Sequence, residues 1–288
     1  MSRIEWRSRR RTFEITDTPL VMGIVNVTPD SFSDGGRYDA PSHAIARARE
    51  LVAEGADIVD LGAESTRPGS RPVPADDQLR RLLPVVEALA GNESACLSVD
   101  TASAEVADRV LAMGTDIVND TSGLGDPAMA GVVARHGAGL VLMHIQGTPA
   151  TMQADPRYED VAREVRDHLR ERIARARAAG VREEAIAVDP GIGFGKTAAH
   201  NFELLARLEE LAALGRPVMV GVSRKSFLGQ ELGLPVDQRL EAGLAATAIA
   251  VFLGARIIRT HDVTATRRAA SIAARIREAR GNREPSPR

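Results

Sequence analysis

Asn26, Asp60, Asp100, Asn119, His144, Asp189, Lys225, Arg259 and His261 share one context: each stands at or near the end of an apolar run. Taken singly, such a residue reads equally well as a helix N-cap or a satisfied turn group. As a set they supply three kinds of chemistry. Asp100, Asn119 and Asp189 can accept from and donate to a flat heterocycle with adjacent N–H groups, and a carboxylate matches a guanidine-like edge bidentately. Arg67, Arg259 and His261, with Asn26 and the backbone of residues 66–69, form a cationic group suited to a pyrophosphate. Phe194, Pro68 and Ser226 lie in loop sequence and can sandwich and anchor a second, aromatic substrate.

These residues converge only if the runs before them are neighbouring strands. The stretch 22–38, MGIVNVTPDSFSDGGRY, shows the unit: an unbroken apolar run at 20–25 ends at Asn26, and a turn-rich loop with Pro29, Gly35 and Gly36 follows. Phe32 within that loop reads as a local anchor or as a substrate contact. The unit recurs, with strands expected at 20–25, 57–62, 95–99, 116–118, 139–143, 185–188, 217–222 and 256–258. Helical spacing falls between them, at 42–54, 76–90, 102–113, 127–136, 157–179, 200–214, 237–253 and 263–280. Such alternation predicts a parallel sheet. Eight units in a domain of about 250 residues predict a single α/β (β/α)8 TIM barrel, whose chemistry lies at the C-terminal rim. Long mobile loops are expected after the first and second strands, at 27–38 and 64–77. Residues 1–19 are expected to cover the bottom of the barrel, residues 20–280 to form it, and the polar tail 281–288, GNREPSPR, to be disordered.

Composition narrows the partners. A chain of 288 residues with 44% hydrophobic content can bury a large core, and a net charge of −2 gives no global attraction to nucleic acid or to an anionic membrane. A small-molecule partner is expected. Cys96 is the only cysteine, so no intrachain disulfide and no cysteine cluster can form, which fits a reducing cytoplasm. Arg3, Arg7, Arg9, Arg10 and Arg11 precede no apolar run of signal length, and no run of 18 apolar residues occurs, so neither export nor membrane spanning is expected. Of 37 basic residues only Lys196 and Lys225 are lysine. Either this is chance, or both positions need a compact ammonium that a planar guanidinium cannot imitate.

Gly191, Gly193 and Gly195 make a GxGxG after the sixth strand, unlike a dinucleotide fingerprint after the first; they read as a loop needing positive φ or close backbone approach to a ligand. His144 reads as a functional or merely satisfied rim histidine. No HExxH, EF-hand or Cys/His pattern appears, whereas Mg²⁺ arriving with a pyrophosphate needs few protein ligands, and Asn26 is the candidate.

Eight motifs carry a resemblance. They are MGIVNVTPDSFSDGG at 22–36, DLGAESTRPG at 60–69, SVDT at 98–101, VND at 118–120, MHIQGTP at 143–149, DPGIGFGK at 189–196, GVSRKSF at 221–227 and RTHDV at 259–263. Over residues 21–263 the chain resembles the bacterial dihydropteroate synthases, within the pterin-binding enzymes. The resemblance implies a transferase of folate biosynthesis that joins 6-hydroxymethyl-7,8-dihydropterin diphosphate to p-aminobenzoate and releases pyrophosphate. It also implies Mg²⁺, a homodimer and sulfonamide competitors. Carried over, Asp100, Asn119, Asp189 and Lys225 bind the pterin, with Met143 and Arg259 packing on it. Asn26, Thr66, Arg67, Arg259 and His261 hold the pyrophosphate and its metal, and Thr66, Pro68, Phe194, Lys225 and Ser226 shape the p-aminobenzoate site. Asp100, Lys225, Arg259 and His261 are the expected catalytic set. Ala63, Thr121 and Ile145 depart from the common pattern, where glycine, an aliphatic residue and methionine are usual. Rival readings are a methyltetrahydrofolate-binding methyltransferase, a catalytically silent pterin-binding paralogue, and a nucleic-acid role resting on the arginine-rich start.

Overall fold

A computed structural model of the chain describes residues 3–28, 40–65, 69–90 and 96–281. The turn-rich part of the first loop with Phe32, the rim residues Thr66, Arg67 and Pro68, and the tail from 282 onward lie outside the described residues. Gly281, expected in the tail, is the last residue of the final helix.

Eight parallel strands make the barrel: β3 (Leu20–Asn26), β4 (Ile58–Gly62), β5 (Cys96–Asp100), β6 (Ile117–Asp120), β7 (Gly139–Met143), β8 (Ile186–Asp189), β9 (Met219–Val220) and β10 (Ile257–Thr260). Their order is β8-β7-β6-β5-β4-β3-β10-β9, and a parallel bridge between Val188 and Val218 closes the ring. Strands covered on both faces have no polar side to show, which is why the runs are unbroken rather than alternating.

The connecting helices are α1 (Ala40–Ala53), α2 (Ala75–Leu89), α3 (Ala104–Ala112), α4 (Met129–His136), α5 (Val161–Ala178), α6 (Ala198–Ala206), α7 (Glu209–Ala212), α8 (Ser226–Leu232), α9 (Leu240–Phe252) and α10 (Val263–Gly281). Side-chain caps start several of them. Ser103 Oγ accepts from Val106 N at α3, Asp160 from Arg163 N at α5, and Thr197 forms a capping box with His200 at α6. The helix expected at 200–214 is interrupted at Arg207, where ψ turns to 25°. The helix expected at 237–253 is preceded by α8, which ends at Gly233 in the left-handed region, φ 66°. Gly229 inside that short helix weakens its signal in sequence. The strand expected at 217–222 keeps only two ladder residues, because toward β8 it makes a single bridge.

Before the barrel, β1 (Ile4–Arg7) and β2 (Thr12–Ile15) form an antiparallel hairpin. Trp6, fully buried, and Ile15 pack with Met22, Ile58, Cys96, Ile117, Val141, Ala187, Met219 and Ile257, the innermost apolar layer of the barrel. Trp6 Nε1 donates to Ala185 O at 3.0 Å, and Arg10 forks onto Asp116 at 2.7 and 2.9 Å. Both partners precede barrel strands, so the hairpin lies across the end opposite the rim.

Candidate active site

Parallel register sets the rim. Asn26 pairs with Gly62, Gly62 with Asp100, and Asp100 with Asn119, so four neighbouring strands bring these residues into one row. A Cβ on Gly62 would lie 3.8 Å from both Asn26 Oδ1 and Asp100 Cβ, so the missing side chain leaves space between them. Asp60, two residues earlier on β4, faces the same way one layer deeper and is fully buried.

Asp60 is the hub. Its Oδ2 accepts from Arg259 Nε at 2.7 Å and from Asn119 Nδ2 at 3.1 Å, while Arg259 Nη2 donates to Asp100 Oδ2 at 2.9 Å. A carboxylate only accepts, so Asp60 takes the amide nitrogen of Asn119 and leaves its oxygen facing elsewhere. Asn119 Oδ1 and Asp60 Oδ1 are both buried without a hydrogen-bond partner. Orphan acceptors of this kind cost about 1–3 kcal/mol each, a cost that a ligand bringing N–H groups removes.

Burial governs the charges. It pushes the Asp100 carboxyl up to about 7, with Asp60 and Glu64 adding to the effect and Arg259 and Thr121 opposing it. Burial also raises Asp189, against the pull of Lys225 and of Gly191 N, which donates to its Oδ1 at 2.7 Å. It lowers the Lys225 ammonium to about 8, opposed by Asp189 and reinforced by Arg259. Burial works against the Arg259 guanidinium as well, but Asp60 and Asp100 more than offset it.

Lys225 Nζ donates to Ile192 O and sits 4.7 Å from the centroid of the Phe194 ring. That links the seventh strand's end to the glycine loop after β8. Gly191, Gly193 and Gly195 all have positive φ, at 68°, 83° and 62°. The expected positive φ is found, and the close backbone approach here is to protein: a Cβ on Gly191 would lie 1.8 Å from His144 O, and one on Gly195 2.5 Å from Gln146 O. Met143, buried, pairs in register with Asp189 at the rim.

At the mouth, His261 Nδ1 lies 3.1 Å from Ser223 Oγ, which also accepts from His261 N, and Arg47 Nη2 donates to His261 O at 3.1 Å. Arg224, at φ 59°, turns outward to pair with Asp262 at 2.8 Å, leaving its neighbour Lys225 on the site side. Asn26 and Ser226 are exposed. Seven of the described sequence candidates therefore form three groups, with Asp100, Asn119 and Arg259 joined through Asp60, then Asp189, Lys225 and Phe194, and His261 on Ser223, while Asn26, Met143 and Ser226 join none of them by a side-chain hydrogen bond. Among the described residues no cluster of three or more His, Cys, Asp or Glu side chains could hold a metal. Asn26 Oδ1 is a single neutral oxygen, a donor that fits a hard cation carrying phosphate and water as its other ligands.

Sequence reading missed the role of one contributor and the whole of another. Asp60 appeared there only as one rim group among many; its signal was a carboxylate inside an apolar strand. Glu64, raised by burial, accepts from Val73 N at 3.1 Å and from Gln78 Nε2 at 3.2 Å, anchoring the far end of the second loop. His144 is buried against Lys196 rather than open to the rim, at 2.9 Å.

Known proteins share this fold and much of this sequence. The profile of the family described as "Pterin binding enzyme" matches residues 22–261. The dihydropteroate synthase of Escherichia coli is 46% identical over 248 residues, covering 86% of this chain and 88% of its own. The structure of the Yersinia pestis dihydropteroate synthase with a sulfonamide drug superposes with a TM-score of 0.89 at 41% identity, covering 96% of this chain and 100% of that one. The Xanthomonas albilineans dihydropteroate synthase with 4-aminobenzoic acid gives 0.88 at 40% identity, covering 99% and 100%. With its barrel and most of its length in common with them, the chain belongs to the pterin-binding enzyme family, among the dihydropteroate synthases.

Proposed function

We infer that this chain condenses 6-hydroxymethyl-7,8-dihydropterin diphosphate with p-aminobenzoate, giving 7,8-dihydropteroate and pyrophosphate. The observation that carries this reading is the pair of buried, unpartnered acceptors, Asp60 Oδ1 and Asn119 Oδ1, beside the Asp100–Arg259 pair. A pterin offers adjacent ring and exocyclic N–H groups to such acceptors. Asp100, Asn119, Asp189 and Lys225 bind the pterin, with Met143 and Arg259 packed on it. Asn26, Thr66, Arg67, Arg259 and His261 hold the diphosphate. Thr66, Pro68, Phe194, Lys225 and Ser226 border p-aminobenzoate; the ring of Phe194 under the Lys225 ammonium supports an aromatic, anionic occupant. The sulfonamide in the Yersinia pestis structure supports sulfonamides as competitors here.

In the reaction the methylene C–O bond to diphosphate breaks, the amine nitrogen bonds to that carbon and sheds one proton, and pyrophosphate leaves. We place C–O cleavage first, since an electron-rich dihydropterin delocalises the cation formed at its methylene, and the charged groups around it can steady both the cation and the leaving pyrophosphate. Arg259 and His261 steady the leaving charge, Asp100 faces the cationic pterin, and Lys225 bridges the two substrate positions, so catalysis is electrostatic and positional. Asn26 would hold Mg²⁺, which, when bound, offsets negative charge on the diphosphate oxygens.

A homodimer belongs to the same reading. Past Glu241 in its first turn α9 carries no charged side chain, and Ile249, Ile272 and Ile276, exposed at 54%, 65% and 56%, line a groove with Phe252 between α9 and α10. Such a surface is suited to cover by a second copy. A cytoplasmic location is supported by Cys96 being a buried free thiol; among the described residues no helix is long and apolar enough to cross a membrane. The test is pyrophosphate release with dihydropterin diphosphate and Mg²⁺, with and without p-aminobenzoate, and product identified by mass. Release with dihydropteroate formed supports the synthase; pterin binding without turnover replaces it with a silent binding protein.

A further inference from the structure

The reaction uses Lys225 and leaves the other lysine unexplained. Lys196 is 2% exposed, and its Nζ meets His144 Nδ1 at 2.9 Å, Gly191 O at 3.0 Å and Phe194 O at 3.0 Å. An ammonium has three donors and no acceptor, so all three N–H groups are used. His144 acts as the acceptor, which requires a neutral ring protonated on Nε2. Burial and the Lys196 charge keep it neutral, pushing it down to about 2. Burial lowers Lys196 itself to about 7, opposed by Asp189.

The segment from Gly191 to Gly195 has no ladder to hold it, yet every carbonyl in it accepts from a side chain. Gly191 O and Phe194 O take Lys196, Ile192 O takes Lys225, Gly193 O takes Gln153 Nε2 at 2.9 Å, and Gly195 O takes Tyr158 Oη at 2.8 Å. Lys196 alone reaches two of them, one being the carbonyl of the aromatic residue itself. A guanidinium is planar and cannot turn three donors from one atom onto three converging acceptors, which accounts for lysine here in a chain whose basic residues, Lys225 apart, are otherwise arginine.

We propose that Lys196 is a positioning residue for the second substrate: by tying Gly191 O and Phe194 O to His144, it fixes the Phe194 ring against Lys225 and sets the affinity for p-aminobenzoate without touching either substrate. This rests on the reading of Phe194 as a wall of that site. Lys196 would then act on one KM and spare the other.

Steady-state kinetics of Lys196→Met, Lys196→Arg and Phe194→Ala separate the claims. Lys196→Met should raise the KM for p-aminobenzoate about tenfold or more, leaving the KM for the dihydropterin diphosphate within about twofold. Lys196→Arg should not restore it, and Lys196→Met should add nothing to Phe194→Ala in the double variant. An unchanged KM for p-aminobenzoate in Phe194→Ala would sink the reading of Phe194. A raised value there beside an unchanged one in folded Lys196→Met would overturn the role of Lys196, as would equal losses for both substrates. Should Lys196→Met not fold, Lys196→Gln carries the same criteria; if neither folds, the residue serves stability and the proposal falls.

Discussion

Arg259 spans two buried carboxylates while facing the site, so its removal strips a fixed cation and leaves Asp60 and Asp100 without their shared partner. Arg259→Ala is expected to lower kcat by about 10²-fold to 10³-fold, the loss typical of one preorganised charge contact. Pyrophosphate release measures it, and a variant within about twofold of the parent would contradict the role. The two perturbed groups also set a pH range. Asp100, raised to about 7, loses its carboxylate charge as pH falls below that value, and Lys225, lowered to about 8, loses its ammonium charge as pH rises above it. The kcat/KM for the dihydropterin diphosphate should therefore peak between them and fall on both sides. Asp100→Asn should be severely impaired, and its residual profile should lack the acid limb; a retained limb would assign it to another group. At this scale residue types were legible because charged groups at strand ends are conspicuous. Partnerships were not: that Asp60 joins Arg259 to Asn119 follows from register across β4, β6 and β10, which no single stretch contains.

The glycine loop after β8 shows what an element adds. Gly191 needs its positive φ and also the absence of a Cβ, since the obstruction at 1.8 Å is a backbone carbonyl that cannot swing aside. Gly191→Ala should lower the unfolding free energy by about 2–3 kcal/mol and raise the KM for p-aminobenzoate. Gly215, at φ 71° with nothing within 4 Å, is the control: alanine there should cost only the backbone term, about 1 kcal/mol. Denaturant unfolding of both variants checks the difference, and equal losses would remove the steric argument. Strand and helix periods were readable in this chain because each unit is local, from apolar run to capped helix. The break at Arg207 that sets α7 apart and the short helix α8 were not, since four and seven residues carry too few periods to show a face.

For the molecule as a whole, the unpartnered isoleucines of α9 and α10 fit a two-fold contact. Ile272→Glu is expected to shift the protein from dimer to monomer, read by light scattering across a concentration series, and a parent protein that is itself monomeric would refute the assignment. The barrel could be counted from sequence because eight alternations leave few architectures. How the N-terminal hairpin fills its base could not be, because Trp6 reaches Ala185 across 179 positions of chain. That plug gives the enzyme a room with a single door. A ligand held against Asp60 and Asn119 therefore reaches them and leaves them by the rim alone, so anything bound nearer the mouth stands in its path.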